Sequence, residues 1–369
     1  MEYRKLGATG LTVSAVGFGT WGLGGDAYGA VPEETAVSAL RTAHEMGITF
    51  FDTADLYGDG RSEDLIGRTF PSARRNIVIA TKVGFLPRGR AQDFSNAYVR
   101  AGLDASLRRL RTDYVDLYQL HDPPLEAITD DLMRTLEDLR RAGKVRAFGI
   151  SVRSPLDARP AIETFGFRCV QVNFNLADQR AIDAGLLDLA MRQGVGLIAR
   201  TPLCFGYLTG KIPANLPDDV LDHRTRWSRE QRRRWSDAPA LLEPIYRDGG
   251  RTPLEIALQF CLSSPGISTV IPGMMDPGQV QENVAAADPR KRLSTNDLAH
   301  ARAVYLDHFA APLDTGRTAS HSIAPSVAAA HLGPRGDTGI GMDIDAKSPA
   351  ESPGDPPRAG EIAMGGEDS

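Results

Sequence analysis

The chain of 369 residues sets 42 Lys and Arg against 47 Asp and Glu, a formal charge of −5, with 42% hydrophobic side chains. That length supports one large core, the acidic balance argues against a nucleic-acid footprint, and no apolar run approaches the ~20 residues of a membrane span. Three cysteines, Cys169, Cys204 and Cys261, lie far apart; they predict no metal site and, as an odd count without a disulfide framework, a reducing cytoplasm.

Residues 1–14 read as a hairpin turning at Gly7-Ala8-Thr9-Gly10, and Ala15 to Gly19 as the first buried strand. Apolar spacing predicts a helix over Glu33 to Met46, closed by Gly47. The run Ile48-Thr49-Phe50-Phe51 is a buried strand that ends on Asp52, followed by a loop with Tyr57 and a helix from Ser62 to Phe70. Strand Ile77 to Thr81 delivers Lys82, and after a loop with Pro87, Gly89 and Arg90 comes a helix over Ala97 to Leu110. Strand Tyr114 to Leu120 delivers His121, before a helix from about Leu125 to Ala142.

The same alternation gives strands Val145 to Ile150, Cys169 to Asn173, Val195 to Ala199 and Ser268 to Ile271. Helices are expected after Pro155, over Arg180 to Gln193, over Pro253 to Ser263, over Pro277 to Ala286 and over Thr295 to Phe309, with a long insertion from Thr201 to Asp237. Eight near-continuous apolar strands alternating with helices predict an α/β fold, a (β/α)8 TIM barrel over residues 1–314 carrying an N-terminal β-hairpin. From Thr315 the composition turns to Ala, Pro, Gly, Ser and Asp without a period, which predicts a low-complexity disordered tail over 315–369.

Gly17-Phe18-Gly19-Thr20-Trp21-Gly22 spells a dinucleotide-binding glycine pattern. The run continues Leu23-Gly24-Gly25-Asp26, which no helix N-terminus would do, and the pattern is rejected on that ground.

Four titratable residues, Asp52, Tyr57, Lys82 and His121, thus fall at or just past the C-terminal ends of three successive strands, where a barrel builds its active site. An ammonium ~4 Å from a phenol favours the phenolate by ~4 kcal/mol at an effective dielectric of ~20, while burial opposes it. A carboxylate against the lysine keeps it charged, and the phenol becomes a general acid for a carbonyl oxygen that His121 helps to orient. A proton donor without a protein nucleophile calls for a second reactant, and hydride from a nicotinamide cofactor fits.

The chain resembles the aldo-keto reductase superfamily along residues 1 to about 310. The motifs that carry the resemblance include Tyr3-Arg4-Lys5-Leu6-Gly7, Phe51-Asp52-Thr53-Ala54 with Tyr57-Gly58, Thr81-Lys82, Leu120-His121, Gly149-Ile150-Ser151, Gln171-Val172-Asn173, Gly206-Tyr207-Leu208-Thr209-Gly210-Lys211, and Ile271-Pro272-Gly273 with Gln279 and Asn283. The resemblance implies reduction of an aldehyde or ketone with NADP(H) or NAD(H), with Asp52, Tyr57, Lys82 and His121 as catalytic residues and Tyr57 as proton donor.

It further implies that Gly19, Thr20, Trp21 and Asp52 lie near the nicotinamide ribose and substrate, and that Ser151 and Gln171 hold the carboxamide. Leu203, Gly206, Leu208 and Lys211 would cover the pyrophosphate, and Gly273, Gln279 and Asn283 the adenosine end. The chain departs from the family pattern in three places: Val152 replaces an Asn, Arg200 stands where an aromatic stacks on the nicotinamide, and Met275 followed by Asp276 replaces the basic residue that binds a 2′-phosphate. The expected partner is a small carbonyl compound, with neither nucleic acid nor membrane. Two rival readings are a cofactor-binding redox-sensing subunit, since potassium-channel β subunits resemble the same family, and a Schiff-base aldolase using Lys82.

Overall fold

The computed structural model describes residues 1–310 apart from 88–90, 218–221 and 248–249. The predicted tail at 315–369 lies outside the described residues, as do Gly89 and Arg90.

Two short antiparallel strands, β1 (Tyr3–Lys5) and β2 (Thr12–Ser14), form the N-terminal hairpin, with Tyr3 opposite Ser14. Eight parallel strands follow: β3 (Phe18–Gly19), β4 (Phe50–Asp52), β5 (Val78–Val83), β6 (Val115–His121), β7 (Val145–Val152), β8 (Cys169–Asn173), β9 (Gly196–Arg200) and β10 (Ile267–Ile271). Each pairs with its successor in the chain. The last strand meets the first through bridges from Val16 to Val270 and from Gly19 to Gly273, which all but close the (β/α)8 TIM barrel. Gly19 is needed at that seam, because a Cβ there would come within 2.8 Å of the Ile271 carbonyl oxygen.

Helices coat the barrel, and several start where a side chain satisfies a free backbone N–H. Ser95 accepts from the Tyr98 N–H ahead of helix Asn96–Leu110. Thr252 and Glu255 cap each other's backbone at the start of Pro253–Ser263. The helix expected from Leu125 begins instead at Asp130, because Thr129 supplies the cap and residues Leu125–Ala127 form a lone 3₁₀ turn. The helix expected over 180–193 is two pieces, Arg180–Asp183 and Leu186–Gln193, broken where Gly185 takes a φ of 62°. The insertion is partly helical, with Arg229–Ser236 as its longest described piece, which the sequence reading left as insertion. No helix among the described residues is long and apolar enough to cross a membrane.

The barrel interior holds its own apolar cluster, built from Phe50, Ala80, Leu117, Ala147, Cys169, Ile198 and Ile271. Leu6, Leu11 and Val13 of the hairpin pack into the same cluster and plug the N-terminal end. Each large side chain removed from water in this way contributes roughly 1.5–3 kcal/mol. With one end filled, the opposite end is left for polar groups.

Candidate active site

Strand side chains alternate, so residues two apart share a face. The interior apolar layer therefore dictates what stands above it. Phe50 is followed two residues on by Asp52, Ala80 by Lys82, Leu117 by Gln119 and then His121, Cys169 by Gln171, and Ile198 by Arg200. One layer of aliphatic side chains thus carries a layer of polar ones, all at the C-terminal mouth.

Lys82, fully buried on β5, is the hub of that layer. Its Nζ donates to Asp52 Oδ1 at 2.5 Å, to the Thr53 carbonyl at 2.9 Å and to the Tyr57 hydroxyl at 3.1 Å. Asp52 Oδ2 accepts from Gln171 Nε2 at 2.7 Å and from Gln119 Nε2 at 3.3 Å. The Tyr57 and His121 rings meet edge to face, with centroids 6.3 Å apart. The structure brings all four predicted titratable residues to one place. Gln119 was missed by sequence reasoning, although its period-two spacing from His121 and Leu117 marks it as inward-facing.

The electrostatics depart from the sequence expectation at Tyr57. Burial outweighs the pull of Lys82 and, with Asp52 adding to it, holds the phenol's pKa above its ordinary value. The charge of Lys82, and to a lesser degree its hydrogen bond, pull the phenol's pKa down without offsetting burial. For Lys82, burial pulls the pKa down, but Asp52 and Tyr57 overcome it and the ammonium persists. His121 is driven the other way: burial first, then the cations Lys82, Arg200 and Arg153, push its pKa well down and leave a neutral imidazole. Its Nδ1 is buried without a partner.

The predicted cofactor residues fall into two groups. Ser151, Gln171 and Arg200 join the tetrad's network directly: Arg200 Nη1 donates to Ser151 Oγ at 3.1 Å, and Ser151 Oγ to Gln171 Oε1 at 3.4 Å. Thr20 is tied to the Asp52 carbonyl through its N–H and its hydroxyl, both at 3.0 Å. Trp21 sits 6.5 Å from the Tyr57 ring and 4.5 Å from His223, ring centre to ring centre. Along with Tyr28, Phe205 and Trp227, His223 builds an aromatic wall to which no pattern in the sequence pointed.

The second group lies along the loop after β9 and the helix Pro277–Ala286. Phe205 and Gly206 take consecutive left-handed conformations, φ 57° and 94°, and the loop they shape holds Leu203 and a buried Leu208. Lys211 reaches Glu282 of that helix at 2.7 Å, which fastens loop to helix. Gln279 accepts from the Met275 N–H at 3.0 Å, while Asn283 keeps a buried Oδ1 without a partner. Asp276 caps the helix by accepting from the Gln279 N–H at 2.9 Å. Gly273 has open space where a side chain would be.

Asp55, beside the tetrad, has a pKa raised to about 7 by burial and by the neighbouring Glu63, and its Oδ1 has no partner. A carboxyl that keeps its proton in the folded state while the unfolded chain has released it lowers stability as pH rises from about 4 to 7. Asp55→Asn should therefore raise the melting temperature at pH 8, by an amount equivalent to roughly 1–3 kcal/mol, and leave it unchanged near pH 4. Thermal unfolding at both pH values checks this, and equal shifts at the two would contradict it.

A model of the Aldo/keto reductase family matches residues 15–305. The chain is 33% identical over 297 residues to the uncharacterized oxidoreductase YqkF of Bacillus subtilis, covering 79% of this chain and 92% of that one. It is 36% identical over 296 residues to L-galactose dehydrogenase of Arabidopsis thaliana, covering 78% and 88% respectively. Among solved structures it is similar to the holo form of aldo-keto reductase AKR11C1 from Bacillus halodurans, with a TM-score of 0.70 and 30% identity over 82% of this chain and 96% of that one. With the match running from the first barrel strand into the last helix, the chain is an oxidoreductase that belongs to the aldo/keto reductase family.

Proposed function

We propose that the chain reduces the carbonyl of an aldehyde or ketone to an alcohol at this mouth, with NADP(H) or NAD(H) as its redox partner. The observation that carries the reading is a neutral phenol held 3.1 Å from a buried, carboxylate-paired ammonium. When bound, the reduced cofactor supplies the hydride. Tyr57 gives the proton at its hydroxyl, and the Lys82 hydrogen bond stabilises the phenolate that results. Asp52 keeps Lys82 charged and in place, itself steadied by Gln119 and Gln171. A neutral His121 is suited to orient the carbonyl oxygen without competing as an acid.

The residues present fit a dinucleotide. Asn283 Oδ1 is a buried acceptor that still needs a donor, as the adenosine end would supply. The left-handed pair Phe205 and Gly206 shapes a loop fastened over the helix by Lys211. In this reading Ser151, Gln171 and Arg200 hold the carboxamide end, Gly19, Thr20, Trp21 and Asp52 lie near the ribose, and Leu203, Gly206, Leu208 and Lys211 cover the pyrophosphate. Gly273, Gln279 and Asn283 take the adenosine. The three free thiols are buried, which supports a reducing cytoplasm as the place of action.

At the 2′ position the chain offers Met275 and a capping carboxylate, Asp276, in place of the basic residue of the family pattern. Met275→Arg should shift the kcat/KM ratio of NADPH to NADH upward roughly 10- to 100-fold, the worth of one charged hydrogen bond. An unchanged ratio in steady-state assays would move the 2′ site elsewhere.

Oxidation of NADPH and NADH across a panel of aldehydes, ketones and sugars tests the function itself. Steady turnover on members of the panel is expected. Tight cofactor binding with no turnover on any of them would instead favour the redox-sensing subunit.

A further inference from the structure

Asp52, Lys82 and His121 stand on strands, and the barrel's ladder fixes their places. Tyr57 does not: it lies in the loop between β4 and the helix Arg61–Thr69, and a loop by itself places a side chain less closely than a strand does. Its hydroxyl nevertheless meets the Lys82 ammonium at 3.1 Å.

The first turn of that helix ties the loop to both neighbouring strands. Ser62 and Glu63, adjacent in the chain, are both fully buried. Ser62 Oγ donates to the Thr20 carbonyl at 3.0 Å, and Thr20 in turn holds the Asp52 carbonyl through its N–H and its hydroxyl. Glu63 Oε1 accepts from Thr81 Oγ1 at 2.5 Å. Thr81 precedes Lys82 on β5; with Lys82 turned into the mouth, alternation turns Thr81 out to the helix layer. One link therefore ends beside Asp52 and the other beside Lys82. The loop itself hangs on the same turn, since the Ser62 N–H donates to the Tyr57 carbonyl at 3.3 Å and the Arg61 N–H to the Gly58 carbonyl at 3.1 Å.

Arg109, from the helix Asn96–Leu110, completes the fastening by donating from Nε to Glu63 Oε2 at 2.6 Å. Its stem lies against Gly60, where φ is 91° and a Cβ would come within 2.4 Å of Arg109 Cδ. Such a buried charge pair is a weak stabiliser, because apolar side chains of the same volume often hold a fold as well or better. What it does supply here is direction: it orients the carboxylate that grips the residue next to Lys82.

We propose that Ser62 and Glu63 are positioning residues for the reduction. Through Thr20 and Thr81 they fix the Tyr57 loop to the strands that carry Asp52 and Lys82, and so hold the hydroxyl within reach of the ammonium. The proposal rests on the carbonyl-reduction reading above.

Thr81→Val cuts the link beside Lys82 and keeps the side chain's volume. Its kcat for carbonyl reduction is expected to fall roughly 10- to 100-fold, with the Kd for cofactor within a few-fold, whereas Thr81→Ser, which keeps the hydroxyl, stays close to wild type. In a Tyr57→Phe background, with no hydroxyl left to place, the same cut should cost no further rate. Ser62→Ala removes the other link and should repeat the pattern, and it carries the test should Thr81→Val not fold. A kcat unchanged by either cut, or a loss as large in the Tyr57→Phe background as in the wild type, would overturn the proposal and leave the two residues as stabilising contacts only.

Should the wild type turn over no carbonyl compound, the reduction reading fails on its own account. The placement is then decided by NMR of isotopically enriched tyrosine Cζ carbons, where Tyr57 is the resonance missing from Tyr57→Phe. A Tyr57 resonance displaced in Thr81→Val and restored in Thr81→Ser supports the two links. One that stays in place in both Thr81→Val and Ser62→Ala overturns them.

Discussion

Tyr57→Phe is expected to lower kcat for carbonyl reduction by about 10²- to 10⁴-fold, the usual worth of a positioned general acid, while the Kd for cofactor stays within a few-fold. The phenyl ring keeps its edge contact with His121 and its place beside Trp21; only the hydroxyl that Lys82 donates to is lost. Neither His121 nor Lys82 can replace the proton. His121 is neutral, and Lys82 stands behind the phenol, already bonded to Asp52 and the Thr53 carbonyl. Fluorescence titration of the cofactor and steady-state turnover check the two halves separately. A variant that retains a tenth of wild-type kcat would remove Tyr57 from the acid's role.

Lys82→Met should cost both activity and stability, and the pairing of the two losses is its signature. Removing the ammonium strands Asp52, 2% exposed, as a buried carboxylate with only the Gln119 and Gln171 amides against it. Breaking one side of such a pair costs about 3–5 kcal/mol, a drop of several degrees in Tm that Tyr57→Phe should not share. The kcat loss should match that of Tyr57→Phe, and the double variant should fall little below the worse single, because the two side chains act as one unit. Adding Asp52→Asn to Lys82→Met should restore part of the Tm and none of the rate. A Lys82→Met protein as stable as the wild type would mean the carboxylate is not charged in the fold.

Much of this was legible in the chain because one rule generated both fold and site. Apolar runs that mark buried strands end on polar residues, and a period of two sends Asp52, Lys82, His121, Gln171 and Arg200 to the same side as the apolar residue two or four positions earlier. Gln119 obeys the same rule and was overlooked only because it lies within a strand rather than at its end. The loop and insertion contributions were not legible. Nothing local links His223 to Trp21, or Lys211 to Glu282, since those contacts depend on how long connections fold back over the mouth. Helix starts shifted where a side-chain cap, such as Thr129, outranked apolar spacing. The acidity of Tyr57 was misjudged for a related reason: the pull of Lys82 is readable from a pairing, whereas the depth of burial that outweighs it is a property of the finished barrel.

The central claim, that the Tyr57 phenol supplies the proton to the carbonyl, is tested most directly by the pH dependence of kcat/KM for carbonyl reduction at saturating cofactor. With the phenol's pKa held above its ordinary value, the rate should stay level from about pH 6 to 9 and then fall with loss of a single proton. The residual activity of Tyr57→Phe should lack that descending limb. Reduction that accelerates as pH climbs, or a descending limb that persists unchanged without the hydroxyl, would contradict the account.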